Sequence, residues 1–239
     1  MTATTLSAAP PHRITWLDRA RGVALLAMIV FHGSFDLSFL GFVDWPVGSG
    51  SGWRLFAISI AGTFLLLSGV SLQIAFGTSL RARPFLRRLG LLCLAAAAIT
   101  LATWIAMPYP IRFGILHAIA TFSVLAIPFL RAPSWVVAVA IVAVLVAAPL
   151  LTSPLFSHPA LYPLGLDPAP PPSFDYEPIF PWFAAVLAGL LAGRFLPTGR
   201  RAMTTDPLAF LGRHSLAIYL LHQPVLMGTL LAIRMAATL

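Results

Sequence analysis

Lysine is absent from the 239-residue chain, and cysteine occurs once, as Cys93. Charged residues of both signs make up only 9% of it, seven Asp or Glu against 15 Arg. A single cysteine excludes an internal disulfide, and in the apolar run "LLCLAAAAI" it reads as a small buried hydrophobe. So little charge, beside 59% hydrophobic residues and a mean hydropathy of +0.91, excludes a soluble domain of this length. No His-x-x-x-His or Cys-His spacing occurs, so no metal is expected. The net charge of +8 forms no basic face, because the Arg residues stand at the ends of apolar runs, and a nucleic-acid partner is not expected. No short apolar stretch precedes the first long run, so that run itself serves as the membrane signal. The absence of Lys, with the Ala and Pro richness, fits a GC-rich bacterial genome and a protein of the bacterial inner membrane.

What the chain has instead is long apolar runs. Crossing a hydrocarbon core of about 30 Å takes roughly 20 apolar residues at about 1.5 Å each. Seven segments qualify: 20–40, 53–76, 86–107, 112–130, 134–151, 179–196 and 208–233. Backbone groups in lipid must be satisfied within their own segment, so all seven are predicted as helices. The expected fold is an all-α, polytopic membrane bundle of seven transmembrane helices: a disordered cytoplasmic N-terminus over 1–13, then one domain over 14–239. Twelve of the Arg residues fall on one side of this arrangement and only Arg54, Arg112 and Arg234 on the other. Cytoplasmic loops retain positive charge, so the N-terminus is expected inside and the C-terminus outside. The outer loop 152–178 is expected to run as extended, polyproline-like chain, either as a spacer or as a lip over a site. "GLLAG", 189–193, reads as a helix-packing face and allows a homodimer.

Ionisable groups inside these runs are the candidates for chemistry. His32 lies 11 residues beyond Arg21, roughly 16 Å deep, and Asp36 follows one turn later on the same face. His117 enters from the outside and His222, with Gln223, from the inside, each to a comparable depth. Polar groups there face the bundle interior and find partners. A carboxylate beside an imidazole is the arrangement of a general base with its orienting acid, so His32 and Asp36 are the expected catalytic pair. The same groups would equally serve a proton relay or small-solute transporter, or act as interhelical glue. "LRARPFLRRL" concentrates Arg81, Arg83, Arg87 and Arg88 on the cytoplasmic side, suited to lipid headgroups or to a phosphate ligand.

With these residues assembled, a resemblance emerges. "WLDRARGVALLAMIVFH" is similar to the first span of acyltransferase-3 type membrane acyltransferases, where Arg, ten residues and His recur, matched by Arg21 and His32. "FLLLSGVSL" is similar to a stretch of their next span. From about residue 14 to 233 the chain resembles bacterial relatives of the heparan-alpha-glucosaminide N-acetyltransferase catalytic domain, through "FHGSFDLSFLG", "IRFGILHAI", "FDYEPIFPWFAAVLAGLLAG" and "FLGRHSLAIYLLHQPV". The resemblance implies transfer of an acetyl or short acyl group from cytoplasmic acetyl-CoA or another acyl-CoA to an extracytoplasmic sugar amine or hydroxyl. His32 would be base or transient acyl carrier. Arg21, Arg81, Arg83, Arg87 and Arg88 would hold the donor, and Arg112, His117, Asp175, Glu177, Trp182, His222 and Gln223 a glycan or other small polar acceptor.

Overall fold

The computed structural model describes residues 14–199 and 206–237. The predicted disordered segment 1–13, with His12 and Arg13, lies outside them, as do Arg200 and Arg201. Eight α-helices follow one another: α1 Thr15–Phe39, α2 Ser51–Phe76, α3 Ala82–Ala106, α4 Ile115–Leu125, α5 Ser134–Leu151, α6 Ile179–Ala192, α7 Pro207–Arg213 and α8 Ser215–Ala237. No strand forms among the described residues; one parallel bridge joins Phe113 to Tyr176. Five helices, α1, α2, α3, α5 and α8, are long and apolar enough to cross a membrane, whereas α4 and α6 span 11 and 14 residues. The chain is a multi-pass, all-α membrane protein.

Local chemistry sets the boundaries. α1 ends where Gly41 turns with φ of 76°, a conformation that a side chain disfavours. Pro133 precedes α5, and Pro84 stands in the first turn of α3, where a missing N–H costs nothing. The segment expected as one span over 208–233 is two helices. Asp206 caps α7, accepting from the Leu208 N–H at 2.9 Å with Pro207 behind it, and the chain breaks at His214 before α8 starts. The loop 152–178 is also not uniformly extended. The side chains of Ser153 and His158 cap 3-10 turns over Pro154–Phe156 and Pro159–Leu164.

The core sits where α2, α4 and α6 meet, around the fully buried Leu65, Leu72, Phe122, Val186, Leu187 and Leu190. Two close helix pairings depend on glycine. Gly69 faces the Val186 carbonyl while Gly189 faces the Leu66 carbonyl, so α2 and α6 approach backbone to backbone. The "GLLAG" face is thus filled by α2 of the same chain. Gly22 and Gly212 bring α7 equally close to α1, where Arg19 pairs with Asp206. The outer helices are bare by comparison: α5 buries only Val137, and α8 buries no residue. Cys93 is exposed on α3, not buried as its apolar setting suggested, because α3 packs on the bundle through Leu92, Ala95 and Ala96 instead.

Candidate functional site

α1 and α8 pack against each other, and their imidazoles meet at the contact. His222 Nε2 lies 3.2 Å from His32 Nδ1, with ring centroids 4.8 Å apart. Backbone carbonyls fix both tautomers, because a carbonyl can only accept. His222 Nδ1 lies 2.6 Å from the Tyr219 carbonyl and must carry the proton, which leaves its Nε2 as acceptor. His32 Nδ1 lies 3.1 Å from the Met28 carbonyl, so its N–H is shared between that oxygen and His222 Nε2. The one imidazole nitrogen of the pair left with a lone pair and no partner among the described residues is His32 Nε2.

Asp36 takes a different partner from the one expected. It is fully buried, and its Oδ1 accepts from Gln223 Nε2 at 2.7 Å, so it ties α1 to α8 and makes no hydrogen bond to His32. His32 Nδ1 is taken by the Met28 carbonyl one turn earlier, and Asp36 is drawn instead to the Gln223 amide of α8. Asp36 Oδ2 and Gln223 Oε1 are both buried without a partner among the described residues. The orienting groups of His32 are therefore Met28 and His222.

At a second mouth of the bundle, the loop before α6 supplies Asp175 and Glu177. Asp175 Oδ2 accepts from the Ile115 N–H that opens α4, at 3.0 Å, and from the Tyr219 hydroxyl at 3.5 Å. Burial pushes the Asp175 carboxyl above the usual carboxylate range. Glu177, the only Glu in the chain, is pushed up to about 9 by burial and by the charge of Asp175, and its Oε2 has no partner among the described residues. Two adjacent carboxyls in such a setting hold a proton at neutral pH. Tyr219 joins this mouth to the pair below: its hydroxyl reaches Asp175 and its carbonyl fixes His222. Sequence reasoning missed both Tyr219 and Met28: Met28 gave no signal, since a backbone carbonyl is the same under any side chain, and the only signal for Tyr219 was a hydroxyl one turn before His222.

The remaining expected residues fall elsewhere. His117 bonds to Thr100 on α3, 3.1 Å away, and not to the imidazole pair. Arg112 lies over the Trp104 ring at 5.8 Å. Trp182 packs against the core, with its ring beside Gly62 of α2. At the opposite end of the bundle, Arg83, Arg87 and Arg88 line a cleft of about 400 Å³ with Pro84 and Leu91. Arg81 stands just before α3 and does not line it. Arg21 comes close enough for its charge to act on Arg88, and it donates to Asp18 at 2.8 Å and to Ser71 at 2.5 Å. No group of three or more metal-ligating side chains assembles among the described residues.

The helical bundle thus carries an imidazole pair between α1 and α8, carboxyls toward one end and guanidinium groups toward the other. The chain belongs to the heparan-alpha-glucosaminide N-acetyltransferase catalytic family, whose model matches residues 13–224. That span contains the imidazole pair, both carboxyls, the Arg cleft and Gln223. It is a transferase family of membrane N-acetyltransferases. No curated protein and no solved structure matches the chain.

Proposed function

We propose that this protein moves an acetyl or short acyl group from acyl-CoA, entering at the Arg cleft, to an amine or hydroxyl acceptor entering at the carboxyl mouth. His32 Nε2 is the reacting nitrogen. The observation that carries the reading is the fixed tautomer of the pair, which aims one unpartnered lone pair away from Met28 and His222. As the acceptor attacks the acyl carbon, its N–H or O–H proton passes to His32 Nε2. The carbon–sulfur bond breaks with its electron pair going to sulfur, and the thiolate takes the proton back from Nε2 to leave as CoA thiol. The imidazolium formed in between keeps its Nδ1–H on two acceptors already in place. The same nitrogen would serve if the acyl group paused on His32 as a covalent intermediate.

Several contacts support seven crossings with the N-terminus in the cytoplasm. α1 and α8 run parallel, since His32 meets His222 and, nearer both C-termini, Arg234 reaches the Leu40 carbonyl at 3.4 Å. Arg21, Arg88, Arg131 and Arg194 bond to Ser71, Ser123, Thr78 and Phe129, linking the basic residues at one end of the bundle. α4, extended by the turn Ile127–Phe129, and α6 then complete the crossings from within the core. The acceptor mouth faces away from the cytoplasm, and a bacterial inner membrane is the proposed location.

The test is purified protein in detergent or nanodiscs with acetyl-CoA, comparing wild type with His32→Ala and Arg87→Ala. Binding, or hydrolysis in the absence of acceptor, is expected for the wild type. If acetyl-CoA neither binds nor raises the melting temperature of the wild type, the acyltransferase reading falls. If His32→Ala turns over at the wild-type rate, the choice of His32 falls.

A further inference from the structure

A second polar recess lies apart from the imidazole pair, and the acyl-transfer chemistry has no use for it. It opens sideways between the last turns of α3 and the start of α4, holds about 360 Å³, and is lined by Ala97, Thr100, Leu101, Trp104, Arg112 and His117. Its polar groups are fixed and unneutralised. The single hydroxyl proton of Thr100 goes to the Ile111 carbonyl at 2.8 Å, so Thr100 Oγ1 must accept from His117 Nε2–H. His117 Nδ1 then has no partner among the described residues. Arg112 is exposed, rests on the Trp104 ring and pairs with no carboxylate among those residues.

The walls are as informative as the head. Leu101 and Trp104 are 64% and 63% exposed, so the apolar side of the recess is uncovered by protein. Arg112 sits beyond the end of α3 at Ala106, at the level where an apolar helix leaves the hydrocarbon, while Leu101 and Ala97 descend from there into it. The recess thus has a cationic head at the bilayer surface and an apolar wall running inward, the profile of a lipid.

We infer that this recess binds the phosphate group of a membrane lipid, held by Arg112 and His117, with an alkyl chain along Ala97, Leu101 and Trp104. The guanidinium fork matches phosphate oxygens, and the aromatic face under it holds the side chain in reach. His117 becomes a second donor when Nδ1 takes a proton, with Thr100 already holding the other side of the ring. Basic pockets between spans bind headgroups in this way.

Delipidated protein reconstituted with defined ligands, followed by native mass spectrometry, tests the site. Phosphatidylglycerol is expected to remain bound to the wild type and to His32→Ala. Diacylglycerol with the same chains and soluble glycerol 1-phosphate are both expected to be lost. Arg112→Gln and His117→Ala should each lower retention about tenfold, the scale of one charge-assisted hydrogen bond, and Arg112→Lys should recover part of it. Equal retention by wild type and both variants overturns the site. Diacylglycerol retained as well as phosphatidylglycerol removes the phosphate from it, and glycerol 1-phosphate bound as tightly removes the lipid. Because His32→Ala serves as a binding-competent control, failure here is separable from failure of the acyltransferase reading.

Discussion

His222 presents Nε2 to His32 Nδ1 at 3.2 Å, and each ring has a backbone carbonyl from its own helix behind it. The two helices therefore share one oriented imidazole unit, in which His32 exposes the basic nitrogen and His222 positions it.

This division of roles separates two substitutions in kinetics. His32→Ala is expected to lower kcat by about 10²- to 10⁴-fold, the range of a lost general base. His222→Ala leaves Met28 to hold the ring and should cost about tenfold in kcat with little change in KM for acetyl-CoA. His222→Gln, whose amide oxygen can accept from His32, should recover part of that. Equal losses in the His32 and His222 variants would mean that both rings touch the reacting atoms. Acid quench and mass spectrometry of the wild type with acetyl-CoA alone then decides whether His32 carries the acyl group.

The Arg cleft predicts a donor-side effect. Arg83→Ala and Arg87→Ala should each raise KM for acetyl-CoA about fivefold, more steeply as salt falls, while kcat changes little. Arg131→Ala is the control, since that guanidinium is spent on the Thr78 carbonyl at 3.0 Å. A KM that ignores Arg83, Arg87 and ionic strength would move the donor elsewhere.

Glu177 gives a pH signature. Its folded carboxyl titrates near 9 against an ordinary 4.5, so between those values the native state holds a proton that the unfolded chain releases. Stability from this group is complete below about pH 4.5 and falls as pH rises toward 9. Glu177→Gln removes that slope. Its melting temperature is expected to match the wild type near pH 4.5 and to exceed it by about 4 °C at pH 8. A gap that stays constant with pH would argue that Glu177 is ionised in the fold.

Packing of α2 on α6 predicts a contrast between two glycines. A Cβ at Gly189 meets the Leu66 backbone, which cannot swing aside, so Gly189→Ala should destabilise by about 1–3 kcal/mol. Gly90 on α3 has nothing within 4 Å of such a Cβ, so Gly90→Ala should leave the melting temperature unchanged or slightly raised. Thermal unfolding of the two variants side by side settles it.

Hydropathy alone made the long helices legible, and helix rise brought His32 and His222 to one level because both effects act along a single segment. What escaped depends on pairings between segments. Nothing in "FHGSFD" announces that Asp36 turns to Gln223 on α8, 187 residues away, while His32 turns back to Met28. The break at His214 escaped although the polar "RHS" falls on it, because the apolar residues on both sides were counted as one span; further signals for a separate α7 were Asp206–Pro207 at its start and Gly212, which lets it lie against α1. The packing of the Trp182 ring beside Gly62 of α2 was likewise not legible, because it joins residues 120 positions apart.

One oxygen of Asp175 receives both the first amide of α4 and the Tyr219 hydroxyl of α8. The Ile115 amide is therefore a spectroscopic handle on the mouth. Any outward swing of α8, or an acceptor that competes for that carboxylate, changes the charge facing this one N–H. Its chemical shift reports occupancy of a site that it does not itself line.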